Sequence, residues 1–224
     1  MRLIRPLLST LLALMLAFAA GAAVAAPLAG KDFVYVDPAQ VTEPGNKVEV
    51  IEFFAYYCPH CNALDQPLAD WVKKQGDNVV FKRVHTTVTG EPVPQQRLFY
   101  ALQLMGREDE FHGKILSAIH FRRMRLDQDD DIIDFMVRQG LDREKFTALY
   151  HSFAVQSKVN QAVQMQANYQ ARSWPLIVLD GKLATSPPMV GAEMNPYDEK
   201  TAQNTMLNVM DELVAQLLQE RSKQ

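Results

Sequence analysis

Three hydrophobic patterns follow one another along the chain. Residues 48–57 (VEVIEFFAYY) are almost continuously apolar, β-branched and aromatic, which predicts a strand buried on both faces at the centre of a sheet. Over 59–75 the apolar positions Leu64, Leu68, Trp71 and Val72 take helical spacing, Gly76-Asp77-Asn78 stops the helix, and 79–84 reads as a second strand. A short strand at 33–36 precedes them, with turns at Pro38, Pro44, Gly45 and Asn46. The second pattern is purely helical: 95–105, 109–121, 128–139, 143–152 and 155–171, punctuated by Gly106, Gly140 and Asp142. In the third, strands return at 176–179 and within 183–191 across an Asp180-Gly181 turn. A long helix over 199–221 follows, with Met206, Leu207, Met210, Leu213 and Leu217 on its buried stripe. The order β-α-β, helices, β-β-α predicts an α/β fold with an inserted all-helical domain. Its boundaries are 26–94 and 172–224 for the two parts of the sheet domain and 95–171 for the insertion. The strands should share one sheet, capped on one side by the insertion.

The first 25 residues follow a different logic. Arg2 and Arg5 precede an apolar run over 7–20, and Ala23-Val24-Ala25 is a small-x-small cleavage signature, so 1–25 reads as a cleaved secretory signal peptide. An uncleaved anchor is the alternative, but Gly21 and Pro27 break the apolar density. No cysteine follows the run, which excludes a lipoprotein. Two of the 23 Lys and Arg lie in the leader, leaving 21 against 26 Asp and Glu, a net charge of −5. An acidic chain without a basic surface is no nucleic-acid binder. The run Arg122-Arg123-Met124-Arg125 reads as a solvated face, and Asp127, Asp129, Asp130 and Asp131 as capping and biasing the helix that follows.

Export makes the two cysteines, Cys58 and Cys61, informative. Two cannot build a disulfide scaffold or a four-cysteine zinc site, and the compartment outside the cytoplasm favours oxidised thiols. They form Cys58-Pro59-His60-Cys61, where a buried strand turns into a helix. One helical turn brings the sulfurs within bonding reach. Pro59 suits the first helical position, where its missing N–H costs nothing. Cys58 then lies at the helix N-terminus, where orphan N–H groups and the helix dipole stabilise a thiolate. His60 adds a donor or a positive charge, and all of these lower the Cys58 pKa. A stabilised thiolate favours the reduced form and makes the disulfide a better oxidant. Cys61, one turn in, should be more buried and act as the resolving thiol. An inert structural disulfide and half of a zinc site are the alternatives. Such a short loop gains little from closure, and His85, His112, His120 and His151 lack a matching paired spacing.

The run Glu52-Phe53-Phe54-Ala55-Tyr56-Tyr57-Cys58-Pro59-His60-Cys61 resembles the active-site segment of the DsbA family of periplasmic thiol:disulfide interchange proteins, whose inner dipeptide is Pro-His. The likeness extends over most of the chain after the leader. It implies a thioredoxin-like fold with an inserted helical domain. A strongly oxidising, low-pKa cysteine is a known property of that family and comes with the resemblance, not from the spacing. Glu52, flanked by Ile51 and Phe53, should be buried and hard to ionise. It reads as a proton relay for Cys61, or as a partner of Lys82 or Arg83 on the next strand, and the two are compatible. The family match supports the relay. In Ser173-Trp174-Pro175 the resemblance implies a cis-proline facing the cysteines, with Trp174 on substrate backbone; the family usually has valine at that place.

The expected function is a periplasmic oxidoreductase that donates its Cys58–Cys61 disulfide to newly exported, partly unfolded proteins. It needs no cofactor or metal, works as a monomer, and is reoxidised, by resemblance, by a DsbB-type membrane partner. The catalytic residues are Cys58, Cys61, His60, Pro59 and Glu52, with Trp174 and Pro175 binding substrate. A disulfide isomerase or reductase of the same fold is a second reading, although the lead-in before Val48 is too short for the dimerisation domain such enzymes usually carry. A secreted binding or chaperone module with a structural disulfide is a third.

Overall fold

The computed structural model describes residues 26–87, 90 and 93–223; the expected leader at 1–25 lies outside them. The strands are β1 (Val34–Tyr35), β2 (Val48–Phe54), β3 (Val79–His85), β4 (Leu176–Leu179) and β5 (Leu183–Thr185). They form one sheet in the order β1-β5-β4-β2-β3. β2 and β3 run parallel, with Glu52 opposite Arg83, while β2–β4, β4–β5 and β5–β1 are antiparallel. A parallel pair needs a crossover, and α1 (Pro59–Gln75) supplies it. Between β3 and β4 come α2 (Pro94–Leu104), α3 (Glu108–His120), α4 (Asp129–Arg138), α5 (Arg143–Tyr150) and α6 (Phe153–Asn168); α7 (Pro187–Val190) and α8 (Glu199–Arg221) end the chain.

Every residue of β2 is buried, because both faces of the sheet are covered. Val48 and Val50 meet Leu64, Leu68 and Trp71 of α1 and Met206, Met210 and Leu213 of α8. Ile51 and Phe53 face a second core built with the helices that follow β3, including Phe99, Phe111, Phe135 and Phe146. Trp71 Nε1 donates to Asp211 Oδ1 at 2.8 Å, tying α1 to α8. Alternation along β2 therefore sends Glu52 toward α1, the helix that carries the cysteines. The helices after β3 are joined to the sheet by side-chain amides. Gln96 Nε2 donates to the His85 carbonyl at 2.8 Å, and Gln166 bonds both the N–H and the carbonyl of Thr87.

Three departures from the expected elements have local causes. β2 stops at Phe54, three residues before the apolar run ends, because Ala55 to Cys58 form a turn closed by Cys58 N–H on the Ala55 carbonyl at 3.0 Å. Ala55 and Tyr56 are fully buried in that turn, so their hydrophobicity reports burial and not strand. α6 begins earlier than its apolar periodicity, since Ser152 caps it through Val155 N–H and Phe153 is solvent-exposed. α4 is not capped by an aspartate: Gln128 holds the cap position without a side-chain bond, and Asp129 accepts from Tyr150 Oη at 2.7 Å. Asp129, Asp130 and Asp131 do occupy the first turn, where the helix dipole favours them. Among the described residues no helix is long and apolar enough to cross a membrane.

Candidate active site

The turn after β2 delivers Cys58 to the N-cap of α1, with Pro59 at the first helical position. Its backbone is extended (φ −80°, ψ 117°), and Sγ takes the place of the oxygen of an ordinary capping side chain. Cys61 N–H donates to that sulfur at 3.3 Å. Both cysteines are free thiols in this structure, 5% and 2% exposed.

The two sulfurs experience opposite environments. The Cys61 thiol donates to Cys58, and the backbone N–H groups of Cys61 and His60 point at the same sulfur; they outweigh burial and bring the Cys58 pKa from 9.0 to about 7. Cys61 lies inside the first turn, where burial, its bond to Cys58 and the negative charge of Glu52 push its thiol far up. One cysteine is thus a ready nucleophile and leaving group, and its neighbour keeps its proton.

Behind Cys61 lies a group of buried charges. Arg83 on β3 reaches Glu52 at 3.0 Å, Asp65 on α1 at 3.3 Å and Glu108 on α3 at 3.6 Å. His112 Nε2 lies 3.1 Å from Asp65 Oδ1. One guanidinium cannot neutralise three carboxylates, and the most buried of them gives way. Burial, helped by Asp65 and Glu108 and opposed by Arg83, raises Glu52 from 4.5 to about 7. Asp65 is also pushed up by burial, but His112 and Arg83 hold it below the usual carboxylate range. Lys82, the other expected partner of Glu52, pairs instead with Glu49 on the opposite face of β2.

In front of Cys58 the peptide between Trp174 and Pro175 is cis, and the Cys58 thiol donates to the Trp174 carbonyl at 3.6 Å. The indole stands edge-on to Tyr57 with ring centres 6.3 Å apart. Trp174 and Pro175 line an apolar groove of about 370 Å³ with Pro187, Pro188, Met194 and Tyr197. His60 borders the groove, but its imidazole turns outward to Glu199 on α8 at 2.7 Å. Its backbone N–H acts on Cys58 more strongly than its ring does. Across Tyr57 lies another cavity of about 530 Å³, bordered by Arg123 and Arg125, which stay exposed as the solvated face expected of the basic run.

A family model described as the DSBA-like thioredoxin domain matches residues 81–194. The thiol:disulfide interchange protein DsbA of Burkholderia cepacia is 43% identical over 187 residues, covering 82% of this chain and 88% of that protein. The chain belongs to the DSBA-like thioredoxin family. The DsbA of Bordetella parapertussis is 35% identical over 83% of the chain and 84% of its own length. The crystal structure of Pseudomonas aeruginosa DsbA superposes with a TM-score of 0.75 at 26% identity, covering 88% of this chain and 97% of that one. The fold class expected from the sequence is the DsbA fold, and the protein is a thiol:disulfide oxidoreductase working with a redox-active cysteine pair and no added cofactor.

The structure brings together all seven expected site residues: Cys58, Pro59, His60 and Cys61 on one turn, Glu52 behind it, and Trp174 and Pro175 before it. The sequence reading missed Asp65, Glu108, His112 and His120, the last of which donates from Nε2 to the Tyr56 carbonyl at 2.8 Å. Asp65 lies one turn beyond Cys61, and that spacing was a usable signal. The α3 residues carry none, because their partners lie on β3, α1 and the turn after β2, far away in sequence.

Proposed function

We propose that this oxidoreductase runs in the oxidising direction, donating a Cys58–Cys61 disulfide to exported proteins. The observation that carries this reading is the Cys58 sulfur at the cap of α1 under the Cys61 N–H, with its pKa near 7. A thiolate stabilised on the reduced enzyme makes the disulfide the higher-energy form. A substrate thiolate attacks Cys58 Sγ, the Cys58–Cys61 bond breaks, and Cys61 leaves as a thiolate. Glu52, with a pKa near 7, gives that sulfur its proton. A second substrate thiolate then attacks the substrate sulfur of the mixed disulfide and expels Cys58 as the stabilised thiolate. Two substrate thiols become a disulfide, and the enzyme disulfide becomes a dithiol.

In this reading Trp174 and Pro175 hold an extended, apolar stretch of an unfolded substrate in the 370 Å³ groove. Pro59 starts α1 without wasting a donor. Residues 95–171 form the inserted domain, 26–94 and 172–224 the thioredoxin-like one, and 1–25 a cleaved leader that sends a monomer to the periplasm. A membrane partner of the DsbB type accepts the electrons. The test is reoxidative refolding of a reduced substrate with Cys58→Ala, together with a redox titration of the wild type against glutathione. The variant should lose all acceleration, and the wild-type pair should be reduced while most of the glutathione buffer is still oxidised. A variant that refolds substrate at the normal rate, or a pair harder to reduce than glutathione disulfide, would overturn the oxidase reading.

A further inference from the structure

The face that α3 turns toward the sheet is unlike its surroundings. Glu108, His112, Leu116 and His120 recur every four residues and form one ridge of the helix. Leu116 is buried in the core. The other three each make a polar contact with the part of the chain that holds the cysteines. Glu108 meets Arg83 at 3.6 Å, His112 meets Asp65 at 3.1 Å, and His120 donates to the Tyr56 carbonyl at 2.8 Å, two residues before Cys58.

His112 is the telling member. It is buried, with its ring against Phe54 and Tyr56 at 5.2 and 5.3 Å between centres. Its Nε2 faces a carboxylate and is the N–H donor, while its Nδ1 is buried with no partner among the described residues. An apolar side chain would fill such a site without that cost, which is about 1–3 kcal/mol for an unsatisfied buried polar atom. What the imidazole adds over an apolar side chain is its bond to Asp65. Asp65 in turn bonds Arg83, and Arg83 bonds Glu52 behind Cys61.

We propose that α3 is a positioning element for the disulfide exchange: His112 and Glu108 fix Asp65 and Arg83 so that Glu52 stands ready to move the proton of Cys61, with His120 setting the register of the helix against Tyr56. The helices between β3 and β4 then take part in the chemistry as well as flanking it. This inference rests on the proton-relay reading of Glu52. The groups facing Glu52 are Cys61 and Asp65 on α1, Arg83 on β3, Tyr56 after β2, and Glu108 on α3, with His112 one contact further out.

The test uses the full protein carrying a glutathione mixed disulfide at Cys58. Cys61 loses its proton, attacks Cys58 Sγ, forms the Cys58–Cys61 bond and expels glutathione as a thiolate. The rate of glutathione release is followed from pH 5 to 9. His112→Leu and the milder Glu108→Gln should each slow release at neutral pH about three- to tenfold and displace the pH midpoint. His112→Gln, which keeps an N–H for Asp65, should restore most of the rate. Glu52→Gln should abolish the pH step, and His112→Leu added to it should change nothing further. If Glu52→Gln leaves the pH step in place, the relay reading fails and the inference falls with it. If Glu52→Gln removes the step but His112→Leu and Glu108→Gln leave the profile unmoved, only the role of α3 fails. A His112→Leu effect of equal size with and without Glu52 would show a merely structural role and overturn the inference.

Discussion

The space in front of the cysteine pair and the space behind it are built on different principles. In front, Cys58 is served by the Cys61 thiol and by the backbone: N–H groups at the start of α1, the Trp174 carbonyl, and a groove of prolines and aromatics. Charge there is exposed, as in the His60–Glu199 pair. Behind, Cys61 faces side-chain charges withdrawn from water: Glu52, Arg83, Asp65 and Glu108. Backbone donors cannot titrate, so they stabilise the Cys58 thiolate at every pH. Buried carboxylates can, so they suit a step in which a proton must come and go. Two chemically identical side chains three residues apart are thereby given opposite tasks.

Three measurements would break or sharpen that contrast. The largest effect belongs to the rear. Burial raises Glu52 in the folded protein to about 7, so Glu52 favours folding below its ordinary value of 4.5 and progressively opposes it as pH rises through 7. Glu52→Gln should therefore match the wild type near pH 4 and exceed it by about 1–3 kcal/mol at pH 8 in urea denaturation. An equal offset at both pH values would mean that Glu52 is not strained by its surroundings. Next comes the front. The folded Cys58 pKa lies below 9.0, so the reduced protein should gain stability as pH rises from 7 toward 9, by roughly 1–2 kcal/mol. The gain is lost as pH falls through 7. Above 9 the high pKa of Cys61 should reverse the trend, and the disulfide form should show neither slope. Identical pH dependence in the two redox forms would contradict the assignment. The smallest effect is expected at the rim. Because the His60 ring is exposed and turned to Glu199, His60→Ala and Glu199→Gln should each move the Cys58 thiolate absorbance midpoint by less than about half a pH unit. A shift of a full unit would give the imidazole the role that the backbone holds here.

The same contrast explains what was legible in the sequence. The front is local: strand, turn, Pro59 and cap lie within a dozen residues, and their chemistry follows from spacing. α1 was readable from end to end even though Pro67 interrupts it, because Leu64, Leu68 and Trp71 keep their face buried across the proline. Trp174 and Pro175 needed the family resemblance, since nothing in spacing links residue 174 to residue 58. The rear was only half readable. Glu52 stood out as a carboxylate in an apolar strand with Lys82 or Arg83 as its partner, and the register of β2 with β3 decides for Arg83. Glu108 and His112 looked like ordinary helix residues, because a helix ridge shows its partners only after the helix is docked.

Trp174 stands 116 positions beyond the sulfur it touches, and this bears on the order in which a chain acquires its reactivity. A chain made from its N-terminus presents Cys58 and Cys61 early, on a segment whose partner strands β3 and β4 come later. α1 can cap itself locally, but the groove wall arrives only when β4 pairs with β2, a contact of high sequence separation. The complete site therefore needs residues 174–176 as well as residue 58, and it is assembled only after most of the chain has been made.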